Sequence, residues 1–397
     1  MKVLLLQSSV YLPSLGGGNK ANRMLLEGLA RRGNRCAAVS SALVRRVGLR
    51  PRSDVEEMRA RGIEVEAHGA ELFYYRYQGV EVEALNFPSN ERSRAHVARR
   101  IGEFRPDVIL VSDDRQHFLL KSALDASVAP VVLLVHTNMH LPFGPLSAVA
   151  NEEQARLFAR AAAIIVVSRY GQEYLREHGG LESTVLPFPV YGDGPFPVLG
   201  RFETGFVTMI NPCEMKGLAL FLALAGEFPR LDFAAVPTWG ADEGVLRALS
   251  ELPNIRLLAP VDDIEEILAQ TRVLVAPSIV PETFGYVVLE AMLRGIPALA
   301  NDVGGMREAK LGVDYLFPRT PFVSPHAPRD VALWSEALSA LLSDRDIYER
   351  CACASRSAAL KFVSKASVSS FEEFLRGVVD GERRVEKRDG NAESMTR

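Results

Sequence analysis

Apolar residues in this chain fall in short runs separated by amphipathic segments, and the alternation begins at the first residues. Short apolar runs bounded by turn residues predict buried strands, and strands alternating with helical periods predict parallel sheets joined by crossover helices. In the first half the expected strands are Val3–Leu6, Cys36–Ser40, Ile63–Glu66, Val108–Ser112, Val131–His136 and Ala163–Val167. In the second half they are Phe206–Ile210, Phe233–Val236, Ile255–Leu258, Val273–Ala276, Pro297–Ala300 and Tyr315–Phe317. Between the halves, Leu186 to Gly200 (LPFPVYGDGPFPVLG) is broken by proline and glycine and predicts a hinge. The pattern gives an α/β fold with two doubly wound, Rossmann-like domains and ligand sites at the carboxyl ends of the strands. The charged run GERRVEKRDGNAESMTR, residues 381–397, has no apolar period and predicts a mobile tail.

A chain of 397 residues exceeds what one core usually organises, which also predicts two domains and a cleft between them. A formal net charge of -3 gives no global field for nucleic acid or an anionic membrane, so any phosphate site must be local. Arginines cluster around Arg92, Arg94, Arg99 and Arg100 on a stretch that also carries Val97, Ile101 and Phe104. That stretch reads as a solvated helix face, with peripheral membrane contact left open. Cys36, Cys213, Cys351 and Cys353 show no paired or metal-ligand spacing. With no apolar run of membrane-spanning length and no signal-peptide pattern at MKVLLLQSSV, a cytoplasmic setting and no metal are expected.

Candidate chemistry begins after the first strand, where Gly16, Gly17 and Gly18 open a helix with Ala21, Met24, Leu25 and Leu29 on one side. Glycines at a helix N-terminus let an anion approach backbone N–H groups, and they serve equally well as a plain flexible turn. The second half repeats the arrangement in INPCEMKG, where Lys216 and Gly217 enter a helix and a diphosphate could be neutralised. The strongest segment is PETFGYVVLEAMLRGIPALANDVGGMRE: Glu282 lies in the loop after a strand, Thr283, Phe284 and Gly285 lead into a helix, and Glu290 follows. Glu290 sits among Val287, Val288, Leu289, Ala291, Met292 and Leu293, where a carboxylate is costly unless bonded. A ribose diol would satisfy it, and so would a helix pair with Arg294. His136, His140 and His117 are candidate histidines, and Trp239 either lines a base pocket or simply packs.

With Lys216–Gly217 upstream and Gly16–Gly18 at the start, that segment resembles family 4 of the retaining glycosyltransferases, which have the GT-B fold and an E-x7-E motif, here Glu282 to Glu290. The resemblance implies transfer of a sugar from a nucleoside diphosphate sugar, uridine diphosphate (UDP) among the candidates, to an acceptor hydroxyl with retention. The acceptor would be a small natural product or a glycan precursor. It implies residues 1–188 as the acceptor-side domain, residues 189–360 as the donor-nucleotide domain, and a helix near 361–379 packing back on the first. By the same resemblance Glu282 faces the donor sugar, the Thr283–Gly285 backbone lines sugar and phosphate, Glu290 holds the ribose and Lys216 pairs with the diphosphate. Gly16–Gly18 would lie near that diphosphate, His136 near the transferred sugar, and Trp239 and Val261 near the base. No cofactor beyond this co-substrate is implied. A sugar-nucleotide epimerase and a non-catalytic sugar-nucleotide-binding partner protein are the alternatives. Asn211 stands where such enzymes usually carry an arginine, which directs attention to Arg307 as a substitute.

Overall fold

A computed structural model describes residues 1–14, 16–42, 54–87, 89–112, 118–127, 129–148, 150–319 and 328–394. His117, one of the candidate histidines, lies outside these residues.

Among the described residues the chain forms two sheets. The first contains β1 (Lys2–Val10), β2 (Arg35–Ser41), β3 (Val65–His68), β4 (Leu72–Tyr77), β5 (Val80–Leu85), β6 (Val108–Ser112), β7 (Val131–Val135), β8 (Ala163–Val166) and β9 (Thr184–Val185), in the order β3-β4-β5-β2-β1-β6-β7-β8-β9. The second contains β10 (Phe206–Ile210), β11 (Phe233–Val236), β12 (Ile255–Leu257), β13 (Thr271–Ala276), β14 (Ala298–Asp302) and β15 (Leu316–Pro318), in the order β12-β11-β10-β13-β14-β15. All pairings of the second sheet are parallel, as continuous apolar strands covered on both faces require.

The first sheet is larger than the apolar pattern predicts. Tyr75 pairs with both Val65 and Val82 in an antiparallel β3-β4-β5 meander at the sheet edge. The aromatic run Phe73–Tyr77 is the middle strand of that meander, Tyr75 and Tyr77 standing opposite the β-branched Val65, Val82 and Val80 of the neighbouring strands. The tail expected to lack structure is instead helical in backbone through Ser394, continuing the helix Val368–Ser394; glutamate, lysine and arginine extend helices readily.

Residues 186–205 carry no helix or strand, yet they are held in place. Phe188, Val190 and Tyr191 are buried in an apolar cluster that runs from Val3, Leu5 and Leu25 of the first unit to Val288, Leu289 and Met292 of the second. The N–H groups of Leu199 and Gly200 donate to the Arg294 carbonyl. The last helix lies against the helix Gly17–Arg31: Arg32 and Asn34 donate to the Glu372 carboxylate at 2.6 and 3.1 Å, and a Cβ on Gly28 would meet Val368. Among the described residues no helix is long and apolar enough to cross a membrane. The arginines of the helix Asn90–Phe104 are largely paired: Arg92 with Glu71, Arg99 with Glu103, and Arg100 with Glu81 and Glu83.

Candidate functional site

The carboxyl ends of β1, β7, β10 and β13 open onto one cleft of about 1200 Å3 between the two units. Gly16, Gly17, Gly18, Lys20 and His136 line it from the first unit, and Lys216, Trp239, Val261, Glu282, Thr283, Phe284, Gly285 and Glu290 from the second. Lys20 and Glu290, 270 residues apart in sequence, thus meet across this cleft.

Each of the two glutamates holds a lysine. Lys216 Nζ lies 2.5 Å from Glu282 Oε1, and the Ser278 hydroxyl donates to the same oxygen. Lys20 Nζ lies 2.7 Å from Glu290 Oε1, crossing from the first unit to the second. Glu290 is 6% exposed in a helix, Tyr286–Leu293, that is apolar on almost every side, so the ion pair offsets a desolvation cost that an unpaired carboxylate would carry in full. Arg294 is not its partner: that guanidinium binds Glu265 at 2.8 Å and covers the Phe196 ring.

The loop that carries Glu282 is fixed by the backbone of a second glycine pair. Gly304 forms a parallel bridge with Glu282 at φ +60°, the Gly305 N–H donates to the Glu282 carbonyl at 2.6 Å, and a Cβ on either glycine would collide with the loop backbone. Phe284 turns its ring into the core, stacked on Phe362, so it is its backbone that faces the cleft.

Gly17 and Gly18 are close-approach glycines. A Cβ on Gly17 would lie 2.7 Å from the Tyr286 ring and one on Gly18 2.8 Å from His136 Cβ. His136 directly follows β7, with Nε2 2.8 Å from Asn22 Oδ1 and Nδ1 3.3 Å from the Tyr286 hydroxyl. Because Asn22 Oδ1 can only accept, Nε2 carries a proton, and in the neutral imidazole Nδ1 then accepts from the Tyr286 hydroxyl. Burial, and secondarily Glu290, pushes the Tyr286 phenol well above its usual range, so it remains a donor.

The remaining expectations divide. Trp239 does not pack in the core: it is 52% exposed at the cleft rim, with its indole nitrogen near Gly16. His140 also lines the cleft. Gly217 stands just behind the wall; its φ of +84° and the Pro277 carbonyl explain its identity. Asn211 has a left-handed backbone, which asparagine tolerates better than arginine, and its Oδ1 accepts from the Gly240 N–H at 2.9 Å. Arg307 offers no substitute charge, since it is exposed, paired with Asp302 and outside the cleft wall.

Lys20, Asn22, Tyr286 and Ser278 were not singled out by the sequence, although Lys20 stands in the glycine-loop segment itself, one helical turn past Gly16. A further contact between the units was also hidden. The Glu308 carboxylate accepts from the N–H groups of Arg169 and Tyr170, and the Ser168 hydroxyl donates to the Thr283 carbonyl at 2.5 Å. The second unit thus caps a helix of the first.

Two α/β units facing each other across a ligand-sized cleft, with that cleft at the strands' carboxyl ends, define the GT-B architecture. Residues 15–190 match the family described as Glycosyltransferase Family 4, and residues 202–344 the one described as Glycosyl transferases group 1. The chain belongs to these glycosyltransferases. It is similar to a phosphatidyl-myo-inositol mannosyltransferase of Mycobacterium leprae, with 27% identity over 72% of this chain and 76% of that protein. It is also similar to the Mycolicibacterium smegmatis enzyme of the same name, with 26% identity over 53% of this chain and 57% of that protein, little more than half its length. Among solved structures, Anabaena HepE in complex with UDP-glucose shares the fold at a TM-score of 0.67 and 17% identity, covering 96% of this chain and 100% of that one.

Proposed function

We propose that this protein transfers a sugar from a nucleoside diphosphate sugar to an acceptor hydroxyl with retention of anomeric configuration. The observation that carries this reading is the convergence of Glu282–Lys216 and Glu290–Lys20 with the glycine loop and His136 on one cleft. Glu290 accepts the ribose hydroxyls and Glu282 the hydroxyls of the donor sugar. Lys216 and the N-terminus of the helix Tyr286–Leu293 stabilise the departing diphosphate, which takes the acceptor proton in a same-face substitution. His136, oriented by Asn22 and Tyr286, bounds the sugar beside Gly18, and Trp239 and Val261 border the base. The UDP-glucose held by the Anabaena protein and the mannosyl transfer named for the mycobacterial relatives make hexosyl donors the first to test.

The test is a panel of UDP-, GDP- and ADP-hexoses scored by thermal shift and by release of nucleoside diphosphate, with the anomeric configuration of the product read by NMR. One donor should stabilise the protein and be turned over with retention, with activity persisting in EDTA because no metal is invoked. An epimer of the donor as sole product, an inverted product, or binding without turnover would each overturn this reading.

A further inference from the structure

Two lysines and, among the described residues, no arginine line the cleft, and both lysines are held on carboxylates. The two pairs sum to zero charge. A nucleoside diphosphate brings roughly two further negative charges into a partly desolvated site, where Lys216 alone leaves an excess. Among its described residues the second unit supplies no other lysine or arginine to the cleft wall: Asn211 is neutral and Arg307 is outside the wall.

Lys20 is placed to supply it. It stands in the first turn of the fifteen-residue helix Gly17–Arg31, its own N–H bonded to the Gly16 carbonyl. A cation at that end of a helix opposes the macrodipole, a cost that an arriving anion would relieve. Its side chain is 18% exposed and ends on Glu290, the carboxylate read above as the ribose acceptor. Two ribose hydroxyls satisfy the acceptor sites of Glu290 that the ammonium now occupies.

We propose that Lys20 is a second diphosphate ligand delivered from the first domain. It neutralises Glu290 in the donor-free protein and passes to the phosphates when the ribose takes that carboxylate. This rests on the donor reading above. It makes phosphate recognition depend on closure of the domains, because the cation and the ribose site belong to different units.

Calorimetric binding of UDP, UMP and uridine to the wild type, Lys20→Gln and Lys20→Arg tests it, with the guanosine or adenosine series used if the donor panel selects that base. Lys20→Gln should weaken the diphosphate about tenfold or more, the loss of one charge-assisted contact, while the nucleoside binds as well as or better than to the wild type. Lys20→Arg should restore most of the diphosphate affinity and lessen its salt dependence least. An equal loss for all three ligands, or no loss for the diphosphate, would overturn the role of Lys20 and leave the donor reading standing. If the wild type binds none of the three in any base series, the donor reading itself fails. Thermal melting of the variants separates a binding defect from unfolding.

Discussion

At the scale of single residues, the two glutamates differ in what their removal would do. Glu282→Gln keeps the size and one acceptor but removes the charge that orders Lys216 and Ser278. Glu290→Gln also breaks the cross-cleft pair and leaves Lys20 beside an apolar helix. Both should lower kcat/KM by about a hundredfold or more, with Glu290→Gln alone weakening nucleoside binding; initial rates and nucleoside titrations check this. A wild-type rate in either variant would remove that glutamate from the site. Glu27 is a different case, a buried carboxylate facing Arg23 and Arg31, with the Asp262 carboxylate also near. Burial first of all pushes its pKa up to about 7, against the partial opposition of Arg23 and Arg31. The folded chain therefore holds this proton more tightly than the unfolded chain, so stability falls as pH rises from about 4.5 through 7. At ~1.4 kcal/mol per pH unit the effect is at most roughly 3 to 4 kcal/mol. Glu27→Gln should raise the melting temperature at pH 8 and change it little at pH 4.5; equal changes at both would show that Glu27 does not titrate in this way.

At the scale of elements, the helix Arg169–Gly179 begins at Ser168, whose hydroxyl accepts from Gly171 N–H while donating to Thr283. Glu308 holds its first two N–H groups from the other domain. Glu308→Ala should cost about 1 kcal/mol, the usual worth of a cap, measured as a lower denaturation midpoint at unchanged slope. No change would show that solvent replaces the carboxylate at no cost. The elements themselves were largely legible: β10, β11, β13 and β14 fall within about two residues of their expected bounds, because largely buried parallel strands are short apolar runs. Of the β3-β4-β5 meander only β3 was expected, as Ile63–Glu66; the half-exposed aromatic alternation of β4 fits a loop or an edge strand equally well. Glu290 announced itself as a buried charge, yet the sequence offered Arg294 four residues away as its partner. The actual partner is 270 residues distant, and no local spacing encodes it. The identities of Gly17 and Gly18 are likewise set by Tyr286 and His136, contacts that exist only once the chain has folded.

At the scale of the molecule, the described polar ties between the two units include Lys20–Glu290, Ser168–Thr283, Glu308 on the Arg169 and Tyr170 N–H groups, Arg61–Asp262, and the Tyr286–His136 contact, beside the apolar cluster around Phe188 and Tyr191. A nucleotide sugar entering between these walls must part at least some of them, and residues 186–205, which join the units without a regular element, are where a rotation would be accommodated, against the buried contacts of Phe188 and Tyr191. Closure is then an equilibrium, shifted by whatever binds the closed form better. Ser168 and Glu308 tie the units together through the helix Arg169–Gly179, and neither side chain lines the cleft, so removing them biases that equilibrium without altering the cleft wall. The double variant Ser168→Ala/Glu308→Ala should show a larger radius of gyration than the wild type by small-angle scattering. Saturating nucleoside diphosphate should return it toward the wild-type value, at a Kd weakened by the cost of closure, about tenfold for each 1.4 kcal/mol of lost contact. Identical scattering curves for variant and wild type without nucleotide would show that these two contacts do not hold the domains closed, leaving the buried apolar contacts around Phe188, Tyr191 and Tyr286 to do so.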